Sequence, residues 1–352
     1  MENIYWRLSA NSKIGVIAKI ALPIFIGGVV IWWLFNDEFN LQTFQLLRFD
    51  ARMIIALLLA LLCVFGRDFG MSWRFRALTD CDLSWRQSVK VTMLCEFTSA
   101  LTPSSVGGGA LSMIFLNREG INFGRATTLT MTTLLLDELF FVVSSPLIFL
   151  FVPYDQLFGF GDDNFTNGLK IAFWIIYVVI FIWTIILYLG VISHPQIIRR
   201  VLIGLFSWRL LRRWKNKITE MSDNMVATSV ELRTRNRRWW INSFVATSVS
   251  WISRYLLVNA LFWGLYPAAD QLVVFGRQFI VWAILMVSPT PGGSGISEYL
   301  FTSYYGDMIV GGGFVMLLAL LWRLLSYYIY LLIGIFVLPS FLAAKKVKNQ
   351  IM

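Results

Sequence analysis

Ser288-Pro289-Thr290-Pro291-Gly292-Gly293-Ser294-Gly295 interrupts the apolar run 272–305, and Leu101-Thr102-Pro103-Ser104-Ser105-Val106-Gly107-Gly108-Gly109 interrupts the apolar run 88–117. Proline removes a backbone donor and clashes with the preceding turn, so neither run continues as one helix. Clustered glycine allows a sharp reversal at low steric cost. Both breaks carry Thr-Pro before glycines, Thr102-Pro103 and Thr290-Pro291, and both fall near the middle of their run. If lipid surrounds these runs, the unpaired backbone must be buried in protein or line a wet cavity.

Composition says that lipid does. Of the 352 residues, 57% are hydrophobic and 14% charged, with 29 Phe and 15 Trp. The mean hydropathy is +0.68. A soluble domain carries about 25% charged residues. A single integral membrane domain over 1–352 accounts for this, and it is all-α and polytopic. A bilayer core needs about 20 apolar residues per helix. Six runs meet that length, at roughly 17–35, 51–69, 124–151, 169–192, 241–265 and 311–340. The one histidine, His194, excludes a histidine-rich di-iron enzyme. Cys63, Cys81 and Cys95 have neither metal-ligand nor disulfide spacing, and Cys63 and Cys95 read as small core residues. The first 19 residues carry Arg7, Lys13 and Lys19 with no small-residue cleavage site after them, so no cleavable signal peptide is expected.

The net charge of +10 does not call for a nucleic-acid partner, because topology explains its distribution. Let the N-terminus be cytoplasmic and let each interrupted run turn back to the side it entered from. The segments 1–19, 66–90, 117–125, 193–240 and 341–352 are then cytoplasmic and hold 24 of the 30 Lys and Arg. The outer loops hold three, Arg48, Arg52 and Lys170, and are mainly acidic. Reading both interrupted runs as ordinary spans would place Arg118 and Arg125 outside. The expectation is therefore six full spans plus two re-entrant helical hairpins, with both termini cytoplasmic and 153–168 outside. The long segment 193–240 carries eleven Lys/Arg, with Ile203, Phe206, Leu210, Leu211 and Trp214 at helical spacing. It reads as a cytoplasmic linker whose amphipathic helix lies on the inner membrane surface. Trp73-Arg74-Phe75-Arg76 reads as a shorter version.

The halves, about 15–152 and 169–340, each run span, span, hairpin, span, and the second has the opposite orientation. That is the pattern of an inverted-topology repeat, in which two broken segments meet near the bilayer midplane and form a substrate site. Seven ionisable residues lie inside apolar runs: Glu96, Asp137, Glu138, Arg254, Arg277, Glu298 and Arg323. Each costs roughly 2.5 kcal/mol or more at the bilayer centre unless paired or wet. One reading is a polar cavity with guanidiniums for an anionic group and carboxylates for a cationic group or a proton. The other is a salt-bridge network holding the halves together. Arg323 and Arg254 are the best anion binders, because arginine presents a planar fork matched to phosphate. The candidate substrate-binding set is Arg323, Arg254, Asp137, Glu138, Glu298 and Glu96, with Thr102, Pro103, Gly107, Gly108, Thr290, Pro291, Gly292, Gly293 and Gly295 at the breaks. No catalytic or metal-binding residue is expected, and no cofactor.

The second break with Glu298 resembles the proline–threonine–proline–glycine–glycine signature of a flippase-like membrane domain. That domain occurs in bacterial lysylphosphatidylglycerol synthases and in many stand-alone membrane proteins. Thr102-Pro103 with Val106-Gly107-Gly108 is similar to its earlier signature. Asp137 is similar to the acid of its third span, and Arg323 with Tyr327 and Gly334 to its last-span arginine motif. The resemblance covers roughly 15–340. Ser105 and Gly109 stand where many relatives have arginine and glutamate, and Thr133-Leu134 where a Glu-Arg pair is often seen. Full-length relatives add a cytoplasmic acyltransferase domain that makes aminoacylated lipid. Here about 12 residues follow the last span, with Lys345, Lys346 and Lys348, so the resemblance implies transport rather than aminoacyl transfer. The leading expectation is a translocase (flippase) of the inner cell membrane, moving an anionic or aminoacylated phospholipid headgroup between leaflets. Its partners would be a phospholipid or other polar lipid, the membrane, and either a second copy or a separate lipid-modifying enzyme. Two alternatives are a membrane component of lipid aminoacylation (phosphatidylglycerol lysyltransferase-type) or of lipid-linked glycan metabolism, and a small-solute or ion secondary transporter.

Overall fold

Local capping starts most of the helices. The Asp50 side chain accepts from the Met53 N–H at 2.8 Å, and Ser84 with Gln87 forms a reciprocal capping box. Asn122, Asn236 and Asp270 cap three further helices. Such caps satisfy backbone donors that have no intrahelical partner. The computed structural model describes residues 50–102, 106–159, 164–207, 215–290, 292–309, 312–334 and 336–338, and every regular element among them is helical. In chain order these are α1 (Ala51–Leu78), α2 (Trp85–Leu101), α3 (Val106–Arg118), α4 (Phe123–Phe151) and the short α5 (Tyr154–Phe158). Next come α6 (Asn164–Leu187), which runs into a π turn at Tyr188–Ser193, then α7 (Pro195–Leu205), α8 (Lys215–Thr234) and α9 (Arg237–Leu265). The last are α10 (Gln271–Met286), α11 (Ile296–Tyr305) and α12 (Gly312–Arg323), which continues through a π turn at Leu324–Tyr328.

Five helical stretches are long and apolar enough to cross a membrane: Ala51–Leu78, Phe123–Phe151, Asn164–Ser193, Arg237–Leu265 and Leu317–Leu338. They fall on five of the six runs expected from sequence. The sixth, 17–35, lies outside the described residues. Each interrupted run is a pair of helices folded back on itself. In the first, Lys90 near the start of α2 pairs with Glu119 just after α3, Nζ to Oε1, at 2.8 Å. In the second, Arg277 in α10 pairs with Asp307 just after α11, and the Gln278 amide donates to the Tyr305 hydroxyl at 2.5 Å.

Two expectations are corrected. The first concerns α1, which was expected to end near residue 69 with Trp73–Arg76 lying on the membrane surface. The helix runs on to Leu78, and Arg67 and Arg74 are 1% and 4% exposed. Both arginines are held inside by acids from other helices, so neither belongs to a solvated loop. The second concerns the linker. No single amphipathic helix spans Ile203 to Trp214: α7 ends at Leu205, and Leu210, Leu211 and Trp214 lie outside the described residues. The following helix, α8, packs on the start of α4. A Cβ at Gly124 would lie 2.8 Å from the Met221 carbonyl, and the Thr128 hydroxyl donates to the Met225 carbonyl at 3.4 Å.

The most extensive helix crossing among the described residues is α1 on α9, and small residues make it. Ala56 and Ala60 on α1 are fully buried, and Gly66 and Gly70 face Ser253, Ser250 and Ala246. A Cβ at Gly70 would sit 2.6 Å from the Ser250 backbone nitrogen. Lipid tails are as apolar as leucine, so close backbone packing is what holds such helices together. Gly70→Ala should therefore cost about 1–3 kcal/mol, as overpacking does, and lower the melting temperature in detergent. Gly168→Ala is the control, since nothing lies within 4 Å of its added Cβ. Equal melting of the two variants would refute the close crossing.

Candidate functional site

The two breaks touch. The Gly292 N–H donates to the Thr102 carbonyl at 3.2 Å, linking segments that are far apart in sequence. Tyr327, on the π turn after Arg323, donates its hydroxyl to the Ala100 carbonyl at 3.1 Å. Tyr327 lies within this π turn, a local departure from the α-helical ladder of the kind found at functional sites. Its ring occupies the space beside Gly292, where a Cβ would come within 2.0 Å of Cε2. Gly292 is therefore required by space and by its φ of +56°. Gly295 differs: its φ is +80° but nothing lies within 4 Å, so only backbone conformation demands glycine there. On the first hairpin, a Cβ at Gly108 would approach the Cys95 carbonyl to 2.3 Å, so α3 can lie against α2 only without a side chain there.

Arg323 holds the second break together. Its Nε donates to Glu298 Oε1 at 2.6 Å, its Nη1 to the Gly292 carbonyl at 3.1 Å, and its Nη2 to Ser294 Oγ at 3.1 Å. Glu298 Oε2 in turn accepts from the Gly295 N–H at 2.7 Å and from the Ser297 hydroxyl at 2.8 Å. Every guanidinium nitrogen is thus spent on the chain itself. The other arginines meet acids on neighbouring helices. Glu96 on α2 accepts from Arg67 Nη2 at 2.8 Å and from Arg254 Nη2 at 3.0 Å. Asp68 accepts from the Tyr330 hydroxyl at 2.8 Å. Arg74 pairs with Asp137, which also accepts from Trp251 Nε1 at 2.7 Å. Arg254 lies over the Trp251 ring, 4.9 Å from its centroid.

Two adjoining chambers open between these groups. One, of about 140 Å³, has Glu96, Arg254, Gln278, Gly292, Gly293 and Arg323 among its walls. The other, of about 110 Å³, has Arg74, Glu96, Asp137, Glu138 and Arg254. Glu96, Ser99, Arg254 and Trp282 belong to both. An aromatic wall of Phe140, Trp251, Tyr255, Phe279 and Trp282 backs them, with Tyr255 and Phe279 centroids 4.6 Å apart. Buried polar groups are normally hydrogen-bonded. Five around these chambers find no partner among the described residues: Arg74 Nε, Glu138 Oε2, Arg254 Nε, Tyr255 Oη and Trp282 Nε1. The walls can therefore hold a small polar or charged group, with Arg254 as the guanidinium that faces both chambers.

Of the residues expected from sequence, Glu96, Arg254, Arg323, Gly292 and Gly293 gather at the first chamber, and Asp137 and Glu138 at the second. Glu298 stands behind Arg323. Thr102 sits at the junction, and Thr290 bonds locally to Ser288 at 3.1 Å. Gly107 falls in the first turn of α3, while Pro103 and Pro291 lie outside the described residues. Arg277 is elsewhere, tied to Asp307 and to the Gln156 and Tyr304 carbonyls at the open end of the second hairpin. Sequence reasoning missed Arg67, Arg74, Tyr255, Gln278 and Trp282. The signal for the two arginines was the apolar character of 51–78, which a shorter span boundary concealed.

Comparison with known proteins agrees with this picture of a multi-pass membrane protein. Residues 20–334 match the family model described as "Lysylphosphatidylglycerol synthase TM region". A "UPF0104 membrane protein" of Archaeoglobus fulgidus is 23% identical over 285 residues, covering 76% of this chain and 80% of the relative. No solved structure matches the chain.

Proposed function

The chain belongs to the lysylphosphatidylglycerol synthase TM region family, and from that premise we propose that it is a lipid translocase. In this reading a phospholipid with an anionic or aminoacylated headgroup passes between leaflets of the inner membrane, its headgroup held by Arg254 in the paired chambers. One integral membrane domain carries this out. It comprises six full spans and two re-entrant hairpins in an inverted repeat, with both termini cytoplasmic. The basic residues favour that topology, 22 to three between its two faces once the buried Arg67 and Arg74 are set aside, as do the paired open ends of the two hairpins.

The observation that carries the reading is the pair of polar chambers at the junction of two broken helices. A binding site of this kind belongs to transporters built from discontinuous helices. At about 140 and 110 Å³, neither chamber reaches the roughly 300 Å³ of a small-molecule pocket. Each suits the phosphate end of a lipid and not its acyl chains, which stay in the bilayer. The test is a dithionite assay on proteoliposomes holding tail-labelled fluorescent phosphatidylglycerol. With the purified chain, inner-leaflet probe should become reducible far faster than in protein-free vesicles. Equal rates with and without protein would overturn the translocase.

A further inference from the structure

Glu138 has no place in the ion-pair scheme. It lies in the middle of α4, 4% exposed, and its Oε2 finds no partner among the described residues. Asp137 beside it is held by Arg74 and Trp251. The groups facing Glu138 across the chamber are Arg74 from α1, Glu96 from α2, and Arg254 from α9, with Asp137 on its own helix. Tyr255 on α9 is the nearby phenol. The chamber walls from α3 and α10, Gly109, Ser112, Trp282 and Met286, carry no charge. Arg74 is engaged with Asp137 and Arg254 with Glu96, so neither arginine serves Glu138.

An ionised carboxylate in such surroundings is costly, and the protonated acid far less so. The charge balance points the same way. With the Arg67–Asp68 pair that stands behind Glu96, three arginines and four acids surround the chamber, so the group is negative when Glu138 is ionised and neutral when Glu138 carries a proton. An anionic headgroup is repelled in the first state and admitted in the second. A strip of hydroxyls leads from the chamber toward the start of α4. Thr133 is in its wall, Ser112 bonds to Thr130 at 2.8 Å, and Thr127 follows one turn further.

We infer that Glu138 is a proton-binding site through which headgroup movement is coupled to a proton gradient. A proton adds to the Glu138 carboxylate, the anionic headgroup enters the neutral chamber, and both leave on the other side as the carboxylate re-forms. This rests on the translocase reading. The test uses the full chain in vesicles with fluorescent phosphatidylglycerol and an imposed pH gradient, against protein-free vesicles. The wild type should accumulate probe in the leaflet on the alkaline side, and Glu138→Gln should lose that bias. Lumen-trapped pyranine in wild-type vesicles with acid outside should report acidification as probe moves inward, a readout independent of how the variant folds. Probe movement without bias or acidification would overturn the proton role and leave the translocase standing. So would a bias retained by Glu138→Gln, or one produced by a sodium gradient in place of the pH gradient. No probe movement by the wild type would overturn both.

Discussion

Arg254→Leu should stop headgroup movement while the protein still folds. The Arg254 side chain is 33% exposed, makes one ion pair with Glu96, and has an Nε without a partner among the described residues. When it is removed, Glu96 keeps Arg67 at 2.8 Å, so Glu96 itself stays ion-paired. Stability should fall only slightly. The functional loss is of another order. Hydrogen bonds to a charged group are worth about 1.5–3 kcal/mol each, and about 3 kcal/mol lost at the rate-limiting passage is more than a hundredfold in rate. Arg254→Lys keeps the charge but not the planar fork, and should fall between the two. The dithionite assay and a melting curve on each variant decide it. Wild-type rates in Arg254→Leu would remove the guanidinium from any substrate role.

How much of this could be read beforehand differs from residue to residue. Both breaks were legible because proline and glycine act locally: each disrupts its own turn, whatever packs around it. The charged residues of the later spans were legible as charges in an apolar setting, but not their partners. Whether Arg323 meets a lipid or Glu298 depends on how α11 folds back against α12, and no local pattern encodes that. Arg67 and Arg74 were misplaced for a related reason. A count of basic residues along 66–90 treats every arginine as solvated, yet these two sit beneath Glu96 and Asp137 of other helices. The stretch 203–214 misled in the opposite way. Its apolar spacing is helical, but spacing does not reveal that α7 ends at Leu205, one residue before the second position of that pattern.

Arg323 is the strongest case of a charge whose role changes once its neighbours are known, and its substitution should fail differently from that of Arg254. Arg323 and Glu298 are both buried, 4% exposed each, and joined at 2.6 Å. Removing one partner of a buried pair strands the other charge and costs about 3–5 kcal/mol. Arg323→Leu also frees the Gly292 carbonyl and Ser294, whose bonds fix the second break against Tyr327. The hairpin should loosen, and the purified variant should melt well below the wild type. Pairing it with Glu298→Gln removes the stranded charge. The amide oxygen can still accept from the Gly295 N–H that Glu298 now caps. The double variant should therefore regain most of the lost melting temperature, which neither a loss of substrate contact nor general misfolding predicts. The opposite result is equally clear. If Arg323→Leu melts like the wild type and only headgroup movement stops, Arg323 is a substrate ligand. The bonds to Glu298, Gly292 and Ser294 would then belong to a resting arrangement that the headgroup displaces.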